Sequence, residues 1–145
     1  MRPKAVGAAT GLGMIALLAG CEDKSLAMDA ANLGNLRQVR ESLACRAPDY
    51  PDQLRELGAT KGACPPVEWV QQAKAEPAGL RYAGYVWAYK RVSISGRNGF
   101  EVEAISRPVR PEGCPDCRSY WLDESQAIRW AQRRRAQAVD PELAR

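Results

Sequence analysis

From residue 24 to about residue 46, apolar side chains recur at three- and four-residue steps: Leu26, Ala30, Leu33, Leu36, Val39 and Leu43. Lys24, Asp29, Arg37, Arg40 and Glu41 fall largely elsewhere around the turn. This is the period of an amphipathic helix with one face to bury. Gly34 weakens it a little, since an interior glycine costs about 1 kcal/mol against alanine. Ala47-Pro48-Asp49-Tyr50-Pro51 ends the run, because proline removes an amide donor and clashes with the preceding turn. A short helical turn is expected over Gln53 to Leu57, ahead of Gly58. Pro65 and Pro66 open another short helix through Lys74, proline being tolerated in a first helical turn.

In the second half the period falls to two. Between Ala83 and Ile94, Val86, Ala88, Val92 and Ile94 alternate with Tyr85, Trp87 and Tyr89. After the turn-forming cluster Ser95-Gly96-Arg97-Asn98-Gly99, Phe100, Val102 and Ala104 alternate with Glu101 and Glu103. This is a β-hairpin pattern. Pairing Ile94 with Phe100 sets Arg91 against Glu103 and Val92 against Val102, a register that suits both faces. A third strand is expected over Arg118 to Asp123, and a fourth, after Glu124-Ser125-Gln126, over Ala127 to Trp130. No internal repeat is present. The expected fold is α+β: an N-terminal helix packed on a three- to four-stranded antiparallel sheet.

The first residues read differently. Arg2 and Lys4 precede sixteen uncharged residues, Ala5 to Gly20, rich in glycine and alanine. A spanning helix needs roughly 20 predominantly apolar residues, so the run has the form of a secretory signal peptide instead. It closes on Leu18-Ala19-Gly20-Cys21. That stretch resembles the lipobox of bacterial lipoproteins, in which the cysteine thiol receives a diacylglycerol before cleavage. The resemblance implies lipidation of Cys21 with fatty acids such as palmitate. It also implies a membrane partner reached through that anchor and a domain facing the periplasm. Two or three acyl chains hold far more firmly than one. Glu22 and Asp23 follow the cysteine, and this favours the outer over the inner membrane. The organisation is then a signal peptide over 1–20, a lipidated N-terminus and tether over 21–31, an α+β domain over 32–130 and a polar, arginine-rich, loosely ordered tail over 131–145.

Four cysteines remain: Cys45, Cys64, Cys114 and Cys117. An even number in an oxidising compartment points to disulfides, with three pairings open. Cys45 with Cys64 and Cys114 with Cys117 is the favoured pairing. Cys114-Pro115-Asp116-Cys117 is also a C-x-x-C motif, which makes an exchange-active dithiol when its first thiol opens a helix. A strand-like Arg118-Ser119-Tyr120-Trp121 follows it here, which favours a structural bridge. Zinc held by four cysteines is a third reading, disfavoured outside the cytoplasm.

The chain contains 21 Lys and Arg, 17 Asp and Glu and no histidine. Without Arg2 and Lys4 the formal charge falls to +2, which argues against a nucleic-acid partner. Lack of histidine excludes Ser-His-Asp and Cys-His sites and His-containing zinc sites. No catalytic residue, metal site, cofactor or small-molecule substrate is inferred. Tyr85, Trp87 and Tyr89 share one sheet face whatever surrounds them. They form a candidate binding surface for a protein or glycan if the helix covers the aliphatic face. Otherwise residues 58–80 fold over them as a second small core.

The order of several short stretches resembles the globular heads of type IV pilins and type II secretion pseudopilins. Leu33-Gly34-Asn35-Leu36-Arg37, then Asp49-Tyr50-Pro51-Asp52-Gln53-Leu54 and Leu57-Gly58, is similar to their helix and the "YPxxLxxLG" stretch after it. Ala83-Gly84-Tyr85-Val86-Trp87-Ala88-Tyr89 resembles a Gly-Tyr strand, and Phe100-Glu101-Val102-Glu103-Ala104 with Pro108 and Gly113 resembles the next strand and loop. Arg118 through Arg129 is similar to an "RSFxxDExGxIR" ending. The resemblance spans about residues 32 to 143 and implies the fold alone. A lipobox stands where the apolar filament helix of a pilin begins, so pilin-like polymerisation is not expected. The expectation is a non-enzymatic envelope lipoprotein making contacts with envelope proteins. The alternatives are a thiol-disulfide protein using Cys114 and Cys117, an accessory of a secretion or pilus system, and a basic tail (Arg129, Arg133, Arg134, Arg135) meeting phosphorylated lipid.

Overall fold

The computed structural model describes the backbone of residues 12–106 and 116–144, with side chains from Leu26 onward. Helix α1 runs Leu12–Arg46 and helix α2 Trp69–Gln72, with a 3-10 turn at Leu54–Gly58 between them. Six strands follow: β1 Lys74–Glu76, β2 Gly79–Tyr82, β3 Tyr85–Ile94, β4 Arg97–Ser106, β5 Arg118–Asp123 and β6 Ile128–Gln132. They form one antiparallel meander in chain order. The fold is therefore α+β, a long helix packed against an antiparallel sheet.

The sheet has six strands where three to four were expected. The additional β1 and β2 are a three- and a four-residue strand, too short to show alternation, and Ala73-Lys74-Ala75-Glu76 is helix-favouring in composition. Pairing decides their state: Leu80 lies opposite Trp87, and Arg81 opposite Val86. Gly79 makes that pairing geometrically feasible. Its φ is +147°, and a Cβ there would sit 2.1 Å from the Trp87 carbonyl oxygen.

The β3–β4 register also departs from expectation. Ile94 pairs with Arg97, Val92 with Gly99, Arg91 with Phe100 and Tyr89 with Val102. Ser95 and Gly96, at φ +51° and +78°, form a two-residue turn with both central residues left-handed. Such turns match the right-handed twist of the strands they join. Arg97, Asn98 and Gly99 thereby become strand instead of loop. Moving the pairing by three residues, an odd number, exchanges the faces.

The consequence is an aromatic core. Trp87, Ala104, Tyr120 and Trp130 form one row across β3 to β6, and Tyr89, Val102, Leu122 and Ile128 the next. Tyr85, Trp87, Phe100, Val102, Ala104 and Leu122 are fully buried. Leu36, Val39 and Leu43 of α1 cover this face. Beside them Trp69 of α2 packs on Trp87 at 4.7 Å between ring centroids and stacks on Tyr82 at 4.9 Å. The opposite face carries charge, with Lys90 paired to Glu101 and Arg135 to Glu103.

Two further differences concern the ends. α1 continues without a break through residues 21–31, the stretch expected to tether the domain. Residues 133–144, expected to be loose, return beside β6: the Leu143 amide donates to Ile128 and the Trp130 amide to Pro141. Ala136 and Asp140 are buried there.

Because Trp87 is enclosed by Trp69, Leu80 and α1, Trp87→Ala should destabilise the protein by about 3–5 kcal/mol in urea unfolding. A change within about 1 kcal/mol would place this side chain outside the core.

Candidate functional site

The stripe Tyr85, Trp87 and Tyr89 is not an open binding surface. The register turns it inward, where Tyr85 and Trp87 have no exposure. Each ring also carries a polar tie. The Trp87 indole donates to the Tyr82 carbonyl, the Tyr89 hydroxyl to Pro51 and the Tyr85 hydroxyl to Arg118. Burial first, and then the neighbouring Asp29 carboxylate, pushes the Tyr85 phenol above its ordinary value. Burial and then Glu56 do the same to Tyr89. Both remain protonated donors through the physiological range.

Asp29 is a residue the helical periodicity assigned to the polar face. Its Oδ1 accepts from the Tyr120 hydroxyl at 2.7 Å and from the Arg118 amide at 3.3 Å, with the Tyr85 hydroxyl also at 3.3 Å. One turn along, the buried Asn32 donates to Met28 and to the Ala83 carbonyl in the β2–β3 turn. These bonds fix the middle of α1 to β3, to β5 and to the turn before β3. Nothing in the local spacing signals them, since the partners lie 51 to 91 residues away.

Cys45 and Cys64 form a disulfide with a Cα separation of 5.4 Å, tying the end of α1 to the loop after the 3-10 turn. Arg46 reinforces this junction: it is buried, and its guanidinium donates to the carbonyls of Glu56 and Ala59. The last residue of α1 thus satisfies carbonyls at the end of the 3-10 turn. Cys117 is disulfide-bonded and 1% exposed, and it leads into β5, not into a helix. Cys114 and the side chain of Cys21 lie outside the described residues.

Hollows lined by described residues include two beside α1. One, of about 530 Å³, lies at the Arg46 junction among Asp49, Tyr50, Asp52, Lys61 and Arg91, and there Arg91 pairs with Asp52. The other, of about 490 Å³, lies between α1 and the returning tail, lined by Arg37, Arg40, Gln126, Ile128, Glu142 and Leu143. Among the described residues no cluster of three His, Cys, Asp or Glu could hold a metal, and no helix is long and apolar enough to cross a membrane. Comparison with protein-family models, with curated proteins and with solved structures returns no match.

The tail forms one wall of the second hollow, and its docking rests on Asp140. Arg134 donates to both carboxylate oxygens and the Gln137 amide to one. The Arg134 hydrogen bonds hold the Asp140 carboxyl below the usual carboxylate range. A depressed folded-state pKa stabilises above the unfolded value, and that contribution is lost as pH falls through the folded value. Amide shifts of Gln137 and Leu143 should therefore stay constant from pH 7 down to about pH 4 and move together only below it. Movement centred above about pH 4, or the same movement in Asp140→Asn, would contradict this coupling.

Proposed function

We propose that this chain is a lipid-anchored lipoprotein of the bacterial envelope whose folded part makes protein contacts and carries out no chemistry. The observation that carries the reading is the sequence Leu18-Ala19-Gly20-Cys21 after a basic start and an uncharged stretch. The domain faces the periplasm from the outer membrane, held by acyl chains on Cys21. Its layout supports the pilin-head reading in its finer form: a long N-terminal helix whose second half packs on an antiparallel sheet.

Continuity of α1 adds a mechanical element to this reading. Asp29 stands eight residues after Cys21, about 12 Å at 1.5 Å per residue. A lipid on Cys21 would hold the domain through a helix already tied to β3 and β5 by Asp29 and Asn32, so the domain keeps one orientation above the membrane. The thiol-disulfide alternative lacks comparable support, because Cys117 is buried, bonded and outside any helix N-terminus.

The test is lipidation itself. Cells fed an alkyne-bearing palmitate should label the wild-type chain and leave Cys21→Ala unlabelled, with its signal peptide retained. Label retained on the variant, or absent from the wild type, would overturn the proposal.

A further inference from the structure

We infer that the cleft between α1 and the returning tail is a docking site for an extended polypeptide segment bearing acidic side chains. This deepens the contact reading above: the cleft belongs to the folded domain, and the choice of a polypeptide over a lipid headgroup rests on the anchor proposed at Cys21.

Charge is the first argument. Most described arginines near carboxylates or carbonyls are committed: Arg91 to Asp52, Arg134 to Asp140, Arg135 to Glu103, Arg55 to the carbonyls of Gln71 and Ala73. Arg37 and Arg40 are not. Arg40 makes one long contact, 3.5 Å to the Gln126 carbonyl, and neither arginine has a carboxylate partner among the described residues. They stand three residues apart on one helix, beside an apolar floor of Ile128 and Leu143. Glu142 also lines the cleft, exposed and without a described ion pair.

Backbone geometry is the second. The tail meets β6 through an Arg129–Glu142 bridge flanked by hydrogen bonds from Leu143 to Ile128 and from Trp130 to Pro141. In that pattern the bridged pair itself is not hydrogen-bonded. The Glu142 N–H and C=O therefore point away from β6, and no described group pairs with them. An edge of this kind accepts an added strand through its main chain. Alternate side chains of such a strand lie about 7 Å apart on one face, close to the 5–6 Å between helix residues three apart. Two acids at alternate positions thus reach Arg37 and Arg40.

Distance selects the source of the acid. Arg37 lies sixteen residues beyond Cys21, about 24 Å along the helix, which sets the cleft away from the headgroups of the anchoring leaflet. A polypeptide is the fitting partner.

The probe is the acetylated, amidated peptide Gly-Glu-Val-Glu-Val-Gly, fluorescently labelled, with glutamine and lysine counterparts, titrated against the full mature protein in detergent micelles. The acidic peptide should bind at least about tenfold more tightly than either counterpart, and R37Q/R40Q should erase that difference. Binding should also slow hydrogen exchange at the Glu142 amide. Arg37 is exposed and Arg40 half-buried, and unchanged circular dichroism confirms folding of the variant. Cys21→Ala should bind the peptide like wild type, so loss of lipid and loss of docking are read separately. No binding, equal affinity for the glutamate and glutamine peptides, or full binding by R37Q/R40Q would each overturn the proposal.

Discussion

The two-residue turn at Ser95-Gly96 is the constraint on which the domain depends. Both residues adopt left-handed backbone, at φ +51° and +78°, a conformation glycine takes freely and serine only at some cost. The turn aligns Tyr89 with Val102 and Trp87 with Ala104. That alignment puts Phe100, Val102 and Ala104 on the same face as Tyr85, Trp87 and Tyr89, and so sets the choice of core face. A second turn of the same kind, Ala83-Gly84 at φ +50° and +78°, repeats the device between β2 and β3. Tyr82 then lies opposite Tyr85, and Tyr82 meets the Trp69 ring that covers Trp87.

Given this core, the helix has a definite seat. Leu36, Val39 and Leu43 fill the groove over the aromatic rows, while Asp29 and Asn32 supply directional bonds at one end and Arg46 at the other. Apolar burial provides most of the driving force but little orientation. The buried polar ties supply that orientation, and each would cost stability if left unpaired. At the seam between α1 and the returning tail, where docking is proposed, Arg37 and Arg40 have no carboxylate partner among the described residues.

The helix over 24–46, the alternation of β3 and β4 and the strand at Arg118–Asp123 were legible because each buries one face with its own period. β1 and β2 were not: strands of three and four residues carry too little pattern, and pairing with β3 overrides the helical composition of Ala73 to Glu76. The register was misjudged at Arg97-Asn98-Gly99, turn-forming residues that the tighter turn draws into β4. That single odd shift reversed the aromatic face, which is why Tyr85, Trp87 and Tyr89 suggested a binding surface. The roles of Asp29 and Asn32 depend on partners 51 to 91 residues away, and no local spacing could reveal them. Cys21 rests on sequence alone.

The register is therefore the quantity to measure. In an isotope-labelled sample of the protein, cross-strand nuclear Overhauser effects between backbone protons report which residues face each other in β3 and β4. The account predicts contacts joining Tyr89 with Val102 and Ser93 with Asn98, together with contacts from the Trp87 ring to Trp69. Contacts joining Val92 with Val102 and Ile94 with Phe100 would contradict it, since that register would turn Tyr85, Trp87 and Tyr89 outward.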